Sequence, residues 1–286
     1  MGSDPISWQM GTELKNCGIH PGKRFVQSNM RMQILAVGGA CLLAGAAGAG
    51  DSSFTGYARS LDGRALLYVE SHAISASGTA GEARVVLYRC SDGTAPFARK
   101  ELDYAANRIA PAFAFEDARS GFAKGLQRST HGLEVFERAG ADARPRTEVL
   151  ARAGALVADA GFDEFVLARW DSLEQGAPAE VPFLVPSRLD SVNFKVRKVA
   201  EAIIEGEAAN VFRLSVAGAL GWFVPDIDVS YRKRDRRLVR YRGITNIRDA
   251  AGSMLAAQID FPDADRNDAA VDLPALRALP LVSHCQ

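Results

Sequence analysis

The densest set of groups able to bind something lies in "YRKRDRRLVRYRGITNIRDAAG", where seven Arg or Lys fall between Arg232 and Arg242. Guanidinium groups on a fixed strand present forks that match phosphate, sulfate or carboxylate. Arg237, Arg240 and Arg242 are the candidate donors, with Tyr241 as a stacking surface. The same spacing also describes a solvated hairpin with "KRDR" as its turn. Arg240 and Arg242 are two apart, so they share one strand face opposite Val239 and Tyr241. A second candidate is "AGALGWFVPDI", in which Trp222 and Phe223 precede Pro225. Such a loop either lines the mouth of a cavity or closes a hydrophobic corner. Trp222, Phe223, Arg240, Tyr241 and Arg242 are therefore the candidate ligand-binding residues.

Acid–base chemistry has one candidate. His72 sits in a strand beside Glu70, Ser71 and Ser75, a setting that a hydrolase could use if the ring meets a carboxylate or hydroxyl in a pocket. His131 falls in a turn and His284 in the tail. No G-x-S-x-G, S-x-x-K or H-E-x-x-H motif supplies a nucleophile or metal, and no Walker loop or G-x-G-x-x-G follows a strand. "DADRND" at 263–268 starts like a calcium loop, but Asp268 stands where Gly is needed and Pro274 where a bidentate Glu is needed. No catalytic residue, metal or cofactor is assigned.

These residues must be positioned by strands. Period-two alternation runs through "RALLYVESHAISA", "ARVVLYRC", "PAFAFED", "GFAKGLQR", "LEVFER", "VNFKVRK", "NVFRLSV", "DIDVSYRK" and "SMLAAQIDF". Several of these are apolar on both faces. "STHG" reads as a tight hairpin turn closed by Gly132. The pattern breaks at 147–176, where Phe162, Phe165, Val166 and Leu173 recur at helical spacing and Gly161 divides two helices. The expected fold is α+β and mostly β: a strongly curved antiparallel sheet or incomplete barrel with this helical insert packed on it.

The stretch "QILAVGGACLLAGAAGAG" sets the compartment. It is too short and too rich in Gly and Ala to span a membrane. A basic start at Arg31, an apolar centre at Ile34 to Leu43 and a small-residue cleavage site at Ala44-Gly45-Ala46 or Ala47-Gly48-Ala49 match a cleaved export signal. The chain divides into an extension at 1–29, a signal at 30–50, one domain at 51–262 and a loosely attached tail at 263–286. Removing Lys15, Lys23, Arg24 and Arg31 with Asp4 and Glu13 takes 34 basic and 34 acidic residues to 30 and 32, a net charge of −2. No global charge then draws nucleic acid. Cys90 and Cys285 remain; an oxidising compartment permits their pairing, while a loose tail argues against it.

The motifs "D-x-x-Y" from Asp228, the basic turn, "RLVRYRGITNI" and "G-x-x-x-x-x-x-I-x-F" from Gly252 cover about a quarter of the chain. On them the sequence resembles uncharacterised proteobacterial envelope proteins whose half-barrel is similar to that of the lipoprotein carriers LolA and LolB. The resemblance implies an incomplete barrel, a helical lid and an apolar cavity for acyl chains, and it carries over no functional residue. The function expected is a periplasmic or secreted binding protein of non-enzymatic type. Its partner is a lipid or other apolar ligand, with no nucleic acid and no transmembrane helix in the mature chain. The alternatives are a periplasmic hydrolase using His72, or an interaction module using the basic hairpin 231–242.

Overall fold

The computed structural model describes residues 50–150, 156–218 and 225–285. The extension 1–29 and the signal at 30–50, except Gly50, lie outside the described residues, as do Trp222 and Phe223. No helix among the described residues is long and apolar enough to cross a membrane.

The alternating stretches form strands. A first run holds β1 (Ser52–Arg59), β2 (Leu66–Ser75), β3 (Ala83–Arg89), β4 (Pro96–Asp103), β5 (Ala112–Asp117), β6 (Phe122–Ser129), β7 (Gly132–Arg138) and β8 (Arg146–Val149). Two short helices follow, α1 (Gly161–Ala168) and α2 (Trp170–Glu174). A second run holds β9 (Ala179–Val185), β10 (Asp190–Ile204), β11 (Glu207–Val216), β12 (Ile227–Arg232), β13 (Leu238–Arg248) and β14 (Met254–Asp260). A short β15 (Arg266–Asn267) and α3 (Leu273–Ala278) end the fold. Each run is an antiparallel meander, and β1 pairs with β14 to join the two into one sheet. Gly132 closes the β6–β7 hairpin opposite Ser129 at φ +127°, a conformation that side chains disfavour.

The sheet curls. Arg248 at the end of β13 reaches Glu137 on β7, although those strands stand eight places apart in the sheet. Arg146 on β8 donates to the carbonyl of Ser187, in the turn after β9. Curling creates an inner face, where alternation puts the large side chains. Tyr68, Tyr88, Phe97, Phe115 and Phe122 fill it in the first run, and Phe212, Leu214, Val229 and Tyr231 in the second. The exposed edge of β9 is covered by Val157, which exchanges hydrogen bonds with Pro182 and Leu184. This is the curved, mostly β architecture with helices packed on it that the alternation predicts.

The segment 147–176 departs from its expected form. It opens in β8, where β-branched Thr147 and Val149 pair with Phe136 and Glu134, and only 161–168 and 170–174 are α-helical. Residues 151–155 lie outside the described residues. The break between helices falls at Arg169. Gly161 instead opens α1, pressed so close to the chain that a Cβ there would lie 2.0 Å from the Ile109 carbonyl oxygen.

The tail is fastened, not loose. β15 pairs with β1, and the Val282 amide donates to the Pro96 carbonyl at 2.9 Å. Asp272 caps α3 by accepting from the Ala275 amide at 2.9 Å. Leu273 and Leu276 of that helix, with Leu279 beyond it, then sit on the outer face of β2 and β3, against Ala73, Val85 and Leu87. A Cys90–Cys285 disulfide with Cα atoms 5.5 Å apart closes the strap. The physical reason was present in "DLPALRALPL": a capped turn with Leu on one helical face. It also explains why β2 and β3 are apolar on both sides.

Candidate functional site

One row of residues crosses the inner face, each directly opposite the next on the neighbouring strand. It runs Phe54, His72, Val86, Lys100, Phe115, Lys124, Glu137, Arg146 over β1 to β8. Alternation forces both lysines inward. Lys100 falls between Ala98 and Leu102, and Lys124 between Phe122 and Leu126, all buried. Each lysine is only 8% exposed.

Almost every buried charge on this side has a partner. Lys100 Nζ lies 2.5 Å from Asp159 Oδ1. Glu82 meets Arg84 and Arg108, Asp117 meets Arg119, and Glu137 meets Arg146 and Arg248. Glu70 meets His72 Nε2 at 2.9 Å. Lys124 is the exception: among the described residues no carboxylate lies within 4.0 Å of its ammonium and nothing hydrogen-bonds it. It stands instead over the rings of Phe115 and Phe122, at 5.9 and 6.0 Å from their centroids.

The electrostatics follow from burial first. Burial disfavours charge on Lys124 and outweighs the pull of Asp159; Lys100 and Arg248 repel the ammonium and Glu137 attracts it, and its pKa is pushed down to about 8. Burial also opposes charge on Lys100, but the Asp159 carboxylate outweighs it and holds that ammonium above its usual range. Asp159 is itself penalised by burial, yet Lys100 and then Lys124 keep its carboxyl below the ordinary value. Burial pulls His72 below its ordinary pKa despite Glu70, which favours a neutral ring donating from Nε2.

Asp159 reaches this row from the helical segment. It precedes α1 with φ +45°, a left-handed conformation that Asp tolerates better than most non-glycine residues, and its carboxylate also accepts from the Ala160 amide at 2.8 Å. Two further carboxylates fix the first turn of α1: Asp163 accepts from the Tyr231 hydroxyl at 2.6 Å, and Glu164 from Arg108 at 2.6 Å. The apolar side of α1 and α2 then covers the inner face of β9–β13. Phe162, Phe165, Val166, Trp170 and Leu173 meet Val181, Val196, Phe212, Leu214 and Val229, with Trp170 edge-on to Phe212 at 5.5 Å. The inner face is thus occupied along both runs, where an apolar cavity was expected. In the first run its own aromatics fill most of it, together with Leu156, Ala158 and residues of β13 and β14, and in the second the two helices do.

The residues singled out from the sequence are split between faces. Tyr241 points inward, half-buried between the two halves of the core, and its hydroxyl donates to the Ile244 carbonyl. Arg240 and Arg242 point outward; Arg240 Nε pairs with Asp260 at 2.5 Å, and Arg242 donates to the Leu61 carbonyl and to Gln258. Strand alternation therefore keeps the guanidinium groups away from the Tyr241 ring. Trp222 and Phe223 lie outside the described residues, though Pro225 borders the same outer cleft of about 240 Å³ as Arg242. The hairpin's positive charge is largely met within the molecule: Arg232 by Asp235 and Asp263, Lys233 by Glu174 and Glu201, Arg234 by Glu207, Arg236 by Asp171 and Arg237 by Asp235.

His72 does reach Glu70, as a hydrolase would require. Its ring, however, is stacked on Phe54 with centroids 4.3 Å apart and meets Phe261 edge-on. Ser71 faces the other side of the strand, where it accepts from Arg89. The nearby cleft of about 270 Å³ borders His72 together with the outward Ser71, Ala73 and Leu87 and with Leu276 of α3, so it lies mainly on the outer face. Lys100, Lys124 and Asp159 escaped the reading of the sequence. Their signal was a lysine at an inward position of an alternating strand.

No protein-family model matches the chain, and no curated protein matches it. Among the solved structures that match the chain are three that cover most of it. A β-barrel-like protein of the domain of unknown function DUF1849 from Brucella abortus matches with a TM-score of 0.38 and 9% identity, over 77% of this chain and 97% of that one. A candidate outer membrane lipoprotein-sorting protein domain from Vibrio parahaemolyticus matches with a TM-score of 0.28 and 9% identity, over 77% and 86%. A DUF1329 family protein from Desulfovibrio piger matches with a TM-score of 0.26 and 9% identity, over 82% and 93%. Likenesses of this size carry no argument about what the chain binds.

Proposed function

We propose that this protein is an exported, non-enzymatic binding protein that takes an apolar or lipid-like ligand on the inner face of β9–β13. The observation that carries the reading is the identity of what covers that face. Val181, Val196, Phe212, Leu214 and Val229 are buried by two short helices of one connection, not by the sheet itself. A helix of eight residues followed by one of five gains little from its own hydrogen bonds and owes its order to that packing. An alkyl chain offers the same strands an equivalent apolar surface. Withdrawal of α1 and α2 would therefore exchange one apolar covering for another, while giving up the polar contacts of Asp159, Asp163, Glu164 and Glu174. Export is supported by the signal-like stretch and by the Cys90–Cys285 disulfide, a bond that persists in oxidising compartments.

The test uses Trp170, which is 3% exposed. In a W8F/W222F variant it is the sole tryptophan emitter. Adding hexadecanoate or hexadecanol to delipidated protein is expected to move its emission to longer wavelength as α2 leaves the sheet, and native mass spectrometry should show the bound chain. No shift and no adduct with either compound overturns the reading.

A further inference from the structure

We infer that the ligand carries an anionic head on its alkyl chain, and that this head replaces Asp159 between Lys100 and Lys124. The inference rests on the binding function proposed above and goes further by naming the ligand's chemistry. Three observations support it. Lys124 is a nine-tenths buried cation that makes no hydrogen bond or ion pair among the described residues, whereas Lys100, Glu82, Asp117 and Glu137 each have a charged partner and Glu70 has a hydrogen bond from His72. Isolated buried charges are strongly disfavoured, so a site that keeps one marks a place where a counter-charge arrives. Second, the carboxylate now serving Lys100 comes from the segment that opens α1, so it leaves with the helices. Third, α1 and α2 already present the pattern of such a ligand: a carboxylate at one end, on Lys100, followed by an apolar stretch along the inner strands. The insert occupies the sheet as an internal mimic of an anionic amphiphile.

Withdrawal without replacement would leave Lys100 and Lys124 both unpaired. A neutral chain could cover the strands but not the two ammonium groups. A carboxylate or a phosphate monoester would satisfy both, and single-chain probes separate the two heads.

The experiment titrates delipidated full-length protein with hexadecanoate, hexadecyl phosphate and hexadecanol, read by native mass spectrometry and, in the W8F/W222F background, by Trp170 emission. Wild type should bind at least one anion about tenfold or more tighter than hexadecanol, the range of one charge-assisted hydrogen bond. The stronger anion identifies the head. K124M, which keeps chain length and removes the charge, should erase the preference for the anion over hexadecanol. D159N should act in the opposite sense and tighten the anion, because the resident competitor is weakened. Equal binding of all three probes, unaltered in K124M and D159N, overturns the head-group inference and leaves the binding function standing. Absence of binding by every probe removes both.

Discussion

The two meanders solve the same problem differently. Strands β1–β7 supply most of their inner face with tilted and edge-on aromatics and a row of buried charges, joined by Leu156, Ala158 and Asp159 of the connection and by residues of β13 and β14, and α3 closes part of their outer face under a disulfide. Strands β9–β13 leave their inner face apolar and have it finished by α1 and α2, elements that belong to no strand. Filling with strand-borne side chains cannot be undone without unfolding the sheet. Filling with a connection can, because only the connection's contacts are lost. The first half is therefore scaffold, and the second is where exchange is structurally possible.

That contrast is testable. The largest effects should come from truncating a large aromatic in either half: F115A and W170A should each lose about 3–5 kcal/mol of stability, measured by urea unfolding. The two should part on a second reading. W170A leaves a gap under movable helices and should bind an alkyl probe more tightly, while F115A should not; equal gains would erase the distinction. Next, C285S should cost about 2–4 kcal/mol and raise amide exchange in α3 before it does so in β9–β13. A global rise in exchange would mean that the strap supports both halves equally.

Lys124 gives a pH-dependent effect. Its folded pKa of about 8 lies below the ordinary lysine value of about 10.4. Between those limits the unfolded chain holds the extra proton, so wild-type stability should rise with pH across that window; below it the penalty is constant. K124M should lack this rise and be more stable at neutral pH by up to about 3 kcal/mol. A wild type whose stability is flat relative to K124M from pH 8 to 10 would show that the ammonium is satisfied. The smallest effect is expected outside: R242S removes two outer-face hydrogen bonds at an exposed site and should change stability by no more than about 0.5 kcal/mol.

How far the sequence could be read depended on range. Alternation is local, so strands such as "NVFRLSV" and the hairpins at Gly132 and "KRDR" were legible directly. So was the outward direction of Arg240 and Arg242, from their spacing alone. Strand β8 was obscured because four residues beside a helical pattern contribute too little periodicity. The tail misled because its anchors, Ala73, Val85 and Leu87, are remote in sequence and mattered only once β2 and β3 were side by side. Lys124 shared its face with Phe122 and Leu126, which was readable. Its lack of a partner was not, since that depends on where Asp159, Glu137 and Arg248 end up.

The seam between the meanders has a kinetic consequence. Every hairpin within a run joins neighbouring strands, but β1 meets β14 through only Tyr57–Asp260, Ala58–Ile259 and Arg59–Gln258. The entropy of closing so long a loop is lost before the contacts across it are gained, among them those of Ile247, Ala257, Ile259 and Phe261 with the first run. Each stack of hairpins can assemble early and alone, whereas their union must wait for both. Refolding is therefore expected to show two fast local phases and one slow one, with the slow phase reporting the meeting of these three residue pairs.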